Sequence, residues 1–261
     1  MSDFSEGSDL FACAQSVERG DPERFAHVMA APVSARVMLF PIYAFNIEVS
    51  RAPWMTQESM IAEMRLQWWR DALDEIAQGG FVRRHEVVTP LALVLDAQSA
   101  QDLDRVVAAR RWDIYRDPFD DQVAFDAYLE DTGGVLMQVA ARALGDTDGR
   151  AAAALGWATA LAGFLRAVPG LEAAGRVPLV DGRPEAVAEL AKRGLAKLDE
   201  ARRHRGTVPK AAVPALMAGA LTAPILKRAA LSPRLVAEGT LDLSDARASA
   251  RRLWVAATGR W

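Results

Sequence analysis

The sequence predicts an all-α fold, a large single domain of roughly ten helices packed around one central apolar helix. Three observations predict it. Residues 155–179 read LGWATALAGFLRAVPGLEAAGRVPL, and over residues 156–165 Thr159 is the only polar side chain. A helix apolar all round belongs inside a protein. Three-four spacing of apolar residues recurs along the chain, and strand-like alternation does not occur. Cap residues, Pro and Gly divide the chain into pieces of helical length. The small residues of the central helix, Ala158, Ala160, Ala162 and Gly163, either let neighbours approach closely or leave room for a cavity.

In order, Ser8 caps a first helix with Leu10, Ala14 and Val17 that stops at Gly20, and residues 1–9 are expected to be flexible. Asp21-Pro22 supplies the cap and first residue of a short helix to about Ala30. Pro32 opens a third helix, VSARVMLFPIYAFNIEVS, expected to kink at Pro41. Thr56 is the expected cap of the next, with Ile61, Met64, Trp68, Trp69, Ala72, Leu73 and Ile76 on its buried face. Asp71, Asp74 and Glu75 fall opposite that face and read as solvated rather than as Mg²⁺ ligands. Gly79-Gly80 ends this helix. Thr89-Pro90 opens a helical segment over residues 91–115 with a break near Ser99. Asp117-Pro118 is a loop. Asp120 or Asp121 starts a helix through Phe125, Tyr128 and Leu129 toward Gly133-Gly134, and helix resumes over residues 135–144. After a turn from Gly145 to Gly149 comes the central helix, expected to break at Pro169-Gly170. Pro184 starts a helix ending in Arg202-Arg203-His204-Arg205-Gly206. Positive charge there complements the helix macrodipole, and it also suits an anionic membrane or partner. Two more helices span about residues 211–230 and 244–257, the second with Leu253 and Trp254.

Bulk properties exclude several classes. A chain of 261 residues with formal charge −3 lacks the basic stripe of nucleic-acid binders, so no nucleic-acid partner is expected. Cys13 is the only cysteine, which excludes an intramolecular disulfide and fits a reducing compartment. His27, His85 and His204 are scattered, and no metal is expected. There is no GxGxxG or Walker motif. The opening MSDFSEGSDL reads as neither a signal nor a transit peptide. Apolar runs at residues 151–165 and 211–226 fall short of the ~20 residues that span a bilayer. The expected location is cytoplasmic, either free or peripheral to the inner membrane.

Three places together resemble the squalene/phytoene synthase family. Tyr43-Ala44-Phe45 ends an apolar helix ahead of the Trp-rich one. Tyr128 precedes Gly133-Gly134. Leu155-Gly156 is followed by Phe164-Leu165-Arg166 and by Gly175-Arg176-Val177-Pro178-Leu179. The resemblance implies the isoprenoid-synthase fold, a bundle around an apolar cavity, with Tyr43, Phe45, Tyr128, Gly163 and Phe164 as lining candidates. It also implies a chemistry, the head-to-head joining of two prenyl diphosphates. Aspartates on two facing helices hold Mg²⁺ against the leaving diphosphate, and the cavity shields the allylic cation from water.

The acids are absent where that family places them. Its Asp-Asp-x-x-Asp run falls on Ser50, Arg51 and Trp54, with Pro53 inside. Its Asp-x-x-Glu-Asp run falls on Ala167, Gly170 and Leu171, and Glu48 and Glu172 lie nearby as single acids. Phe45-Asn46-Ile47-Glu48, Met64-Arg65-Leu66-Gln67-Trp68-Trp69 and Leu165-Arg166-Ala167-Val168-Pro169 are similar instead to one branch. That branch holds the sixth mitochondrial complex I assembly factor and its bacterial relatives. It implies a catalytically inactive protein without a cofactor, acting in assembly of the respiratory NADH dehydrogenase, with that complex's subunits or assembly intermediates as partners. Arg51, Arg166 and Arg176 are then candidates for an anion or a partner, and packing or salt bridging is the plainer role of Arg166 and Arg176. Two alternatives stay open. One is an active Mg²⁺-dependent prenyltransferase using Asp126 and Glu130, one turn apart, or Asp117, Asp120 and Asp121. The other is an isoprenoid or lipid carrier, whose space Trp54, Trp68 and Trp69 would partly fill.

Overall fold

In the computed structural model, which describes residues 4–261, the chain is helix and loop with no strand among the described residues. The helices are α1 (Asp9–Gly20), α2 (Pro22–Met29), α3 (Val33–Arg51), α4 (Ser59–Gln78), α5 (Val88–Leu91), α6 (Ala97–Ala109) and α7 (Gln122–Leu129). They continue as α8 (Val135–Ala143), α9 (Arg150–Ala173), α10 (Pro184–Arg203), α11 (Val213–Leu216), α12 (Thr222–Leu231), α13 (Arg234–Ala237) and α14 (Asp245–Thr258). Two compact units form. One takes the described residues up to Tyr115 with Val139–Thr147 and Pro209–Ala215. The other takes Arg116–Gln138, Asp148–Val208 and Leu216–Trp261. The expectation of flexibility over residues 1–9 falls in part on residues 1–3, outside the described ones.

The first unit is built on α3. Ser8 caps α1 by accepting from the Phe11 amide at 3.2 Å, and α1 buries Leu10, Cys13 and Val17 on the face packed against α3. The Cys13 thiol lies 3.5 Å from the Glu86 carbonyl, and burial pushes its pKa up to about 12. Asp21 caps α2, accepting from the Arg24 amide at 2.9 Å, with Pro22 at the first helical position. α3 runs unbroken through Pro41 and buries every residue from Leu39 to Ile47. α4 packs on α6 and buries Ala62, Leu66, Trp69, Ala72, Leu73 and Ile76.

Several sequence expectations are corrected here. Ile61 is 38% and Met64 66% exposed, because small Ala62 and Leu66 take the packing face instead. Thr56 accepts from the Glu58 amide at 3.1 Å and so holds a turn before α4 rather than capping it. The break expected near Ser99 falls at residues 92–96. Asp96 caps α6 on the Ser99 amide at 2.7 Å, which leaves Ser99 buried inside the helix. Glu75 is not simply solvated: it forms a bidentate pair with Arg83 at 2.7 and 3.0 Å, and that pairing holds its carboxyl below the usual range.

The second unit is organised by α9. It buries Ala151, Ala152, Leu155, Gly156, Ala158, Leu161, Ala162, Leu165 and Val168, and packs against α10 and the segment before α8. Its 24 residues are long and apolar enough to cross a membrane, but 67% of that apolar window is buried by its neighbours. The break expected at Pro169-Gly170 does not occur. Proline removes only one backbone hydrogen bond, and here it sits within the final turns of a helix already held by its buried side. α9 ends instead at Gly175, whose φ of +77° is the left-handed conformation that glycine adopts freely. The Arg176 amide donates to the Leu171 carbonyl at 3.0 Å and the Gly175 amide to that of Glu172 at 2.9 Å. This pair of bonds is the Schellman closure. The single helix expected over residues 211–230 is divided into short turns and α12. At the division, a Cβ on Gly219 would lie 2.7 Å from Leu155 Cδ1.

Candidate functional site

The first unit carries the end of α3. Tyr43 is buried, with the Arg24 guanidinium 4.8 Å from its ring centroid, and burial pushes its hydroxyl up to about 12. Phe45, fully buried, meets Trp69 edge-on at 5.4 Å, and Trp69 meets Trp68 edge-on at 5.0 Å. Asn46 is buried with its Oδ1 unpaired. Ser50 Oγ donates to the Ile47 carbonyl at 3.1 Å, so the hydroxyl is turned back onto its own helix. Arg51 is exposed and Pro53 buried, while Trp54, 48% exposed, is not a core residue.

The second unit carries a π-helical bulge, Glu130–Gly134, seated on α9. The two backbones nearly touch. A Cβ on Gly133 would lie 2.4 Å from Ala160 Cβ, and one on Gly156 would lie 2.4 Å from the Gly133 carbonyl oxygen. This contact explains the glycines that the sequence singled out at both places. A bulge of this kind widens one turn of a helix, and such bulges concentrate at functional sites. Next to it Tyr128 and Phe164 join Phe119 and Phe125 in an aromatic cluster, with Phe125 and Phe164 edge-on at 5.0 Å. Further along the same face, α9 is bare. Gly163, Ala167 and Gly170 are exposed, and a Cβ on Gly163 or Gly170 would meet nothing within 4 Å. Leu171 is half-buried. Arg166 pairs with Asp242 at 2.5 Å, whereas Arg176, 7% exposed, is tucked in behind the Gly175 turn.

The donor set decides what these positions can hold. Ser50, Arg51 and Trp54 offer one hydroxyl and one cation, and Ala167, Gly170 and Leu171 offer no polar side chain. Mg²⁺ binds through carboxylates and water in near-octahedral geometry, so these residues do not fit a Mg²⁺–diphosphate assembly. Among the described residues no group of three or more His, Cys, Asp or Glu side chains converges. Of the alternative acids, Asp126 and Asp121 already have partners. Asp126 accepts from Gln122 at 2.8 Å and pairs with Arg193, which also faces the Trp157 ring at 5.9 Å. Asp126, Glu130, Arg193, Lys197 and Arg203 line a cleft of about 660 Å³ whose charges are of both signs. Asp121 caps α7 on the Ala124 amide at 2.8 Å, and Asp117 and Asp120 lie in the preceding loop.

The architecture is that of the isoprenoid synthases. A dehydrosqualene synthase crystallised with a ligand superposes with a TM-score of 0.78, covering 95% of each chain at 14% identity. Squalene synthase HpnC from Alicyclobacillus acidocaldarius does so with a TM-score of 0.69, over 87% of this chain and 94% of that one at 18% identity. At that identity the likeness is one of fold. Residues 17–180 match the squalene/phytoene synthase family model, and the chain belongs to that family. In sequence it is similar to proteins named as complex I assembly factor 6. The Drosophila melanogaster homologue is 31% identical over 182 residues, 64% of this chain and 53% of its own length. The Bos taurus protein is 24% identical over 180 residues, 63% of this chain and 50% of its own. The chain thus matches about half the length of these curated relatives.

Proposed function

We propose that the chain is a non-catalytic member of its family that serves in assembly of respiratory complex I, by contact with that complex's subunits or assembly intermediates. One observation carries the reading. Every family acid position is replaced, by Ser50, Arg51, Trp54, Ala167, Gly170 and Leu171, in a chain similar to two proteins named as assembly factors. Without paired carboxylates, magnesium and diphosphate have no grip, and the scaffold is left to act by shape and contact. The location this reading requires is cytoplasmic, against the inner membrane.

Two measurements test it. Purified protein with Mg²⁺ and farnesyl or geranylgeranyl diphosphate is expected to release no more diphosphate than a heat-killed control. Deleting the gene in its source is expected to deplete assembled complex I on native gels, with recovery on re-expression. Turnover above the control overturns the first half of the proposal, and undiminished complex I overturns the second.

A further inference from the structure

Within the second unit, the end of α10 and the segment from α14 onward carry a cluster of arginines on a chain that is acidic overall. Residues 244–261 hold Arg247, Arg251, Arg252 and Arg260 against one acid, Asp245. The Arg205 guanidinium stacks on the buried Trp261 ring at 4.4 Å and donates through Nη2 to the Trp261 backbone oxygen. Its Nε is buried with no hydrogen-bond partner. Arg251 donates through Nε to the Ala220 carbonyl at 3.1 Å and lies 4.4 Å from the Trp254 ring centroid. Among the described residues, Arg202 has an acidic partner, Asp199 at 3.1 Å, and Arg205, Arg251 and Arg260 have none. Burial first, and then the charges of Arg202, Arg260 and Arg251, pull the Arg205 guanidinium below its usual range. Burial and Arg202 do the same to Arg251. Arg202, Arg251 and Arg260 thus all act on Arg205, and among the described residues no acidic side chain pairs with Arg205, Arg251 or Arg260.

The helix beside them is barely packed. α14 buries only Ala248 and Val255, two turns apart on one side. On the rest of its surface Leu253 is 71% and Trp254 43% exposed, and Arg247, Arg251 and Trp254 follow the three-four spacing of one face. Arginine beside exposed Trp and Leu on one helix is the composition of an element lying in the headgroup layer of a bilayer. Phosphate oxygens suit guanidinium donors in charge and geometry.

We propose that Arg202, Arg205, Arg251 and Arg260 form a binding surface for the phosphate groups of an anionic phospholipid membrane, with Trp254 and Leu253 of α14 inserting at the interface. The proposal gives the membrane-side location above a specific face, but it stands apart from complex I assembly. Vesicle binding can fail while assembly is intact, and the reverse also holds.

The test uses the full chain and vesicles of phosphatidylcholine alone or in equal parts with phosphatidylglycerol. Co-sedimentation is expected with the anionic vesicles only, and it is expected to weaken as salt rises from about 0.1 M to about 0.5 M. Arg202→Gln with Arg260→Gln leaves the Trp261 and Trp254 stacks in place and is expected to lower the partition coefficient about 30-fold, with an unchanged circular dichroism spectrum. Lipids brominated in the acyl chain are expected to quench the wild type more than the Trp254→Phe variant. Equal binding to neutral vesicles, or no loss in the double variant, overturns the proposal. Calorimetric binding of inorganic phosphate without vesicle binding also overturns it, in favour of a free anion.

Discussion

Gly156 and Gly163 stand two turns apart on α9 and meet opposite surroundings. A Cβ on Gly156 would press on the Gly133 carbonyl oxygen, a backbone atom that cannot swing aside, while one on Gly163 would enter open space. One glycine is a condition of packing, and the other is part of a bare face that continues through Ala167 to Gly170. The acid positions also differ. On α9 the replacements are mostly small and leave the surface open. At the end of α3, Ser50 is bonded back to Ile47 and buried Pro53 lies between Arg51 and Trp54. The same loss of charge is accommodated by vacancy in one place and by tethering in the other.

Substitutions along α9 sharpen this contrast. Gly156→Ala is expected to lower stability by about 3 kcal/mol, since the overlap with backbone outweighs the helix propensity gained. Urea unfolding reads this as a lower midpoint at constant slope. Gly175→Ala is expected to lose about 1 kcal/mol, because alanine resists the left-handed conformation. Gly163→Ala, by contrast, is expected to gain ~0.5–1 kcal/mol from reduced chain entropy with no clash. A loss at Gly163 comparable to that at Gly156 would break the comparison. The smallest effect belongs to Ala167→Asp, expected to stay within ~0.5 kcal/mol of wild type. It is also expected to give no Mg²⁺-dependent shift in melting temperature, because one carboxylate does not make a site.

What the sequence revealed follows from how local each cause is. Ser8, Asp21 and Asp121 cap helices through bonds to amides three residues on, so residue type and position suffice. The burial of α3 and α9 follows from their apolarity. Pro169 misled because a proline's effect depends on how firmly the rest of the helix is held. Ile61 and Met64 misled because they fit the three-four spacing, while the buried stripe runs instead through Ala62, Leu66, Trp69, Leu73 and Ile76. At the candidate site, the missing carboxylates were legible residue by residue. The bare face of α9 was not, since small residues suit a tight contact and an empty surface equally well. Partners far apart in the chain, such as Asp242 for Arg166 or Trp261 for Arg205, leave no local trace.

The lone thiol of this molecule has a practical use. Cys13 is sealed beneath the α1–α3 interface with its proton held firmly, and no second thiol competes with it. A maleimide dye needs thiolate and access, and in the native state it finds neither. Labelling therefore becomes a clock for the opening of the first unit, and it runs without any engineered change to the chain.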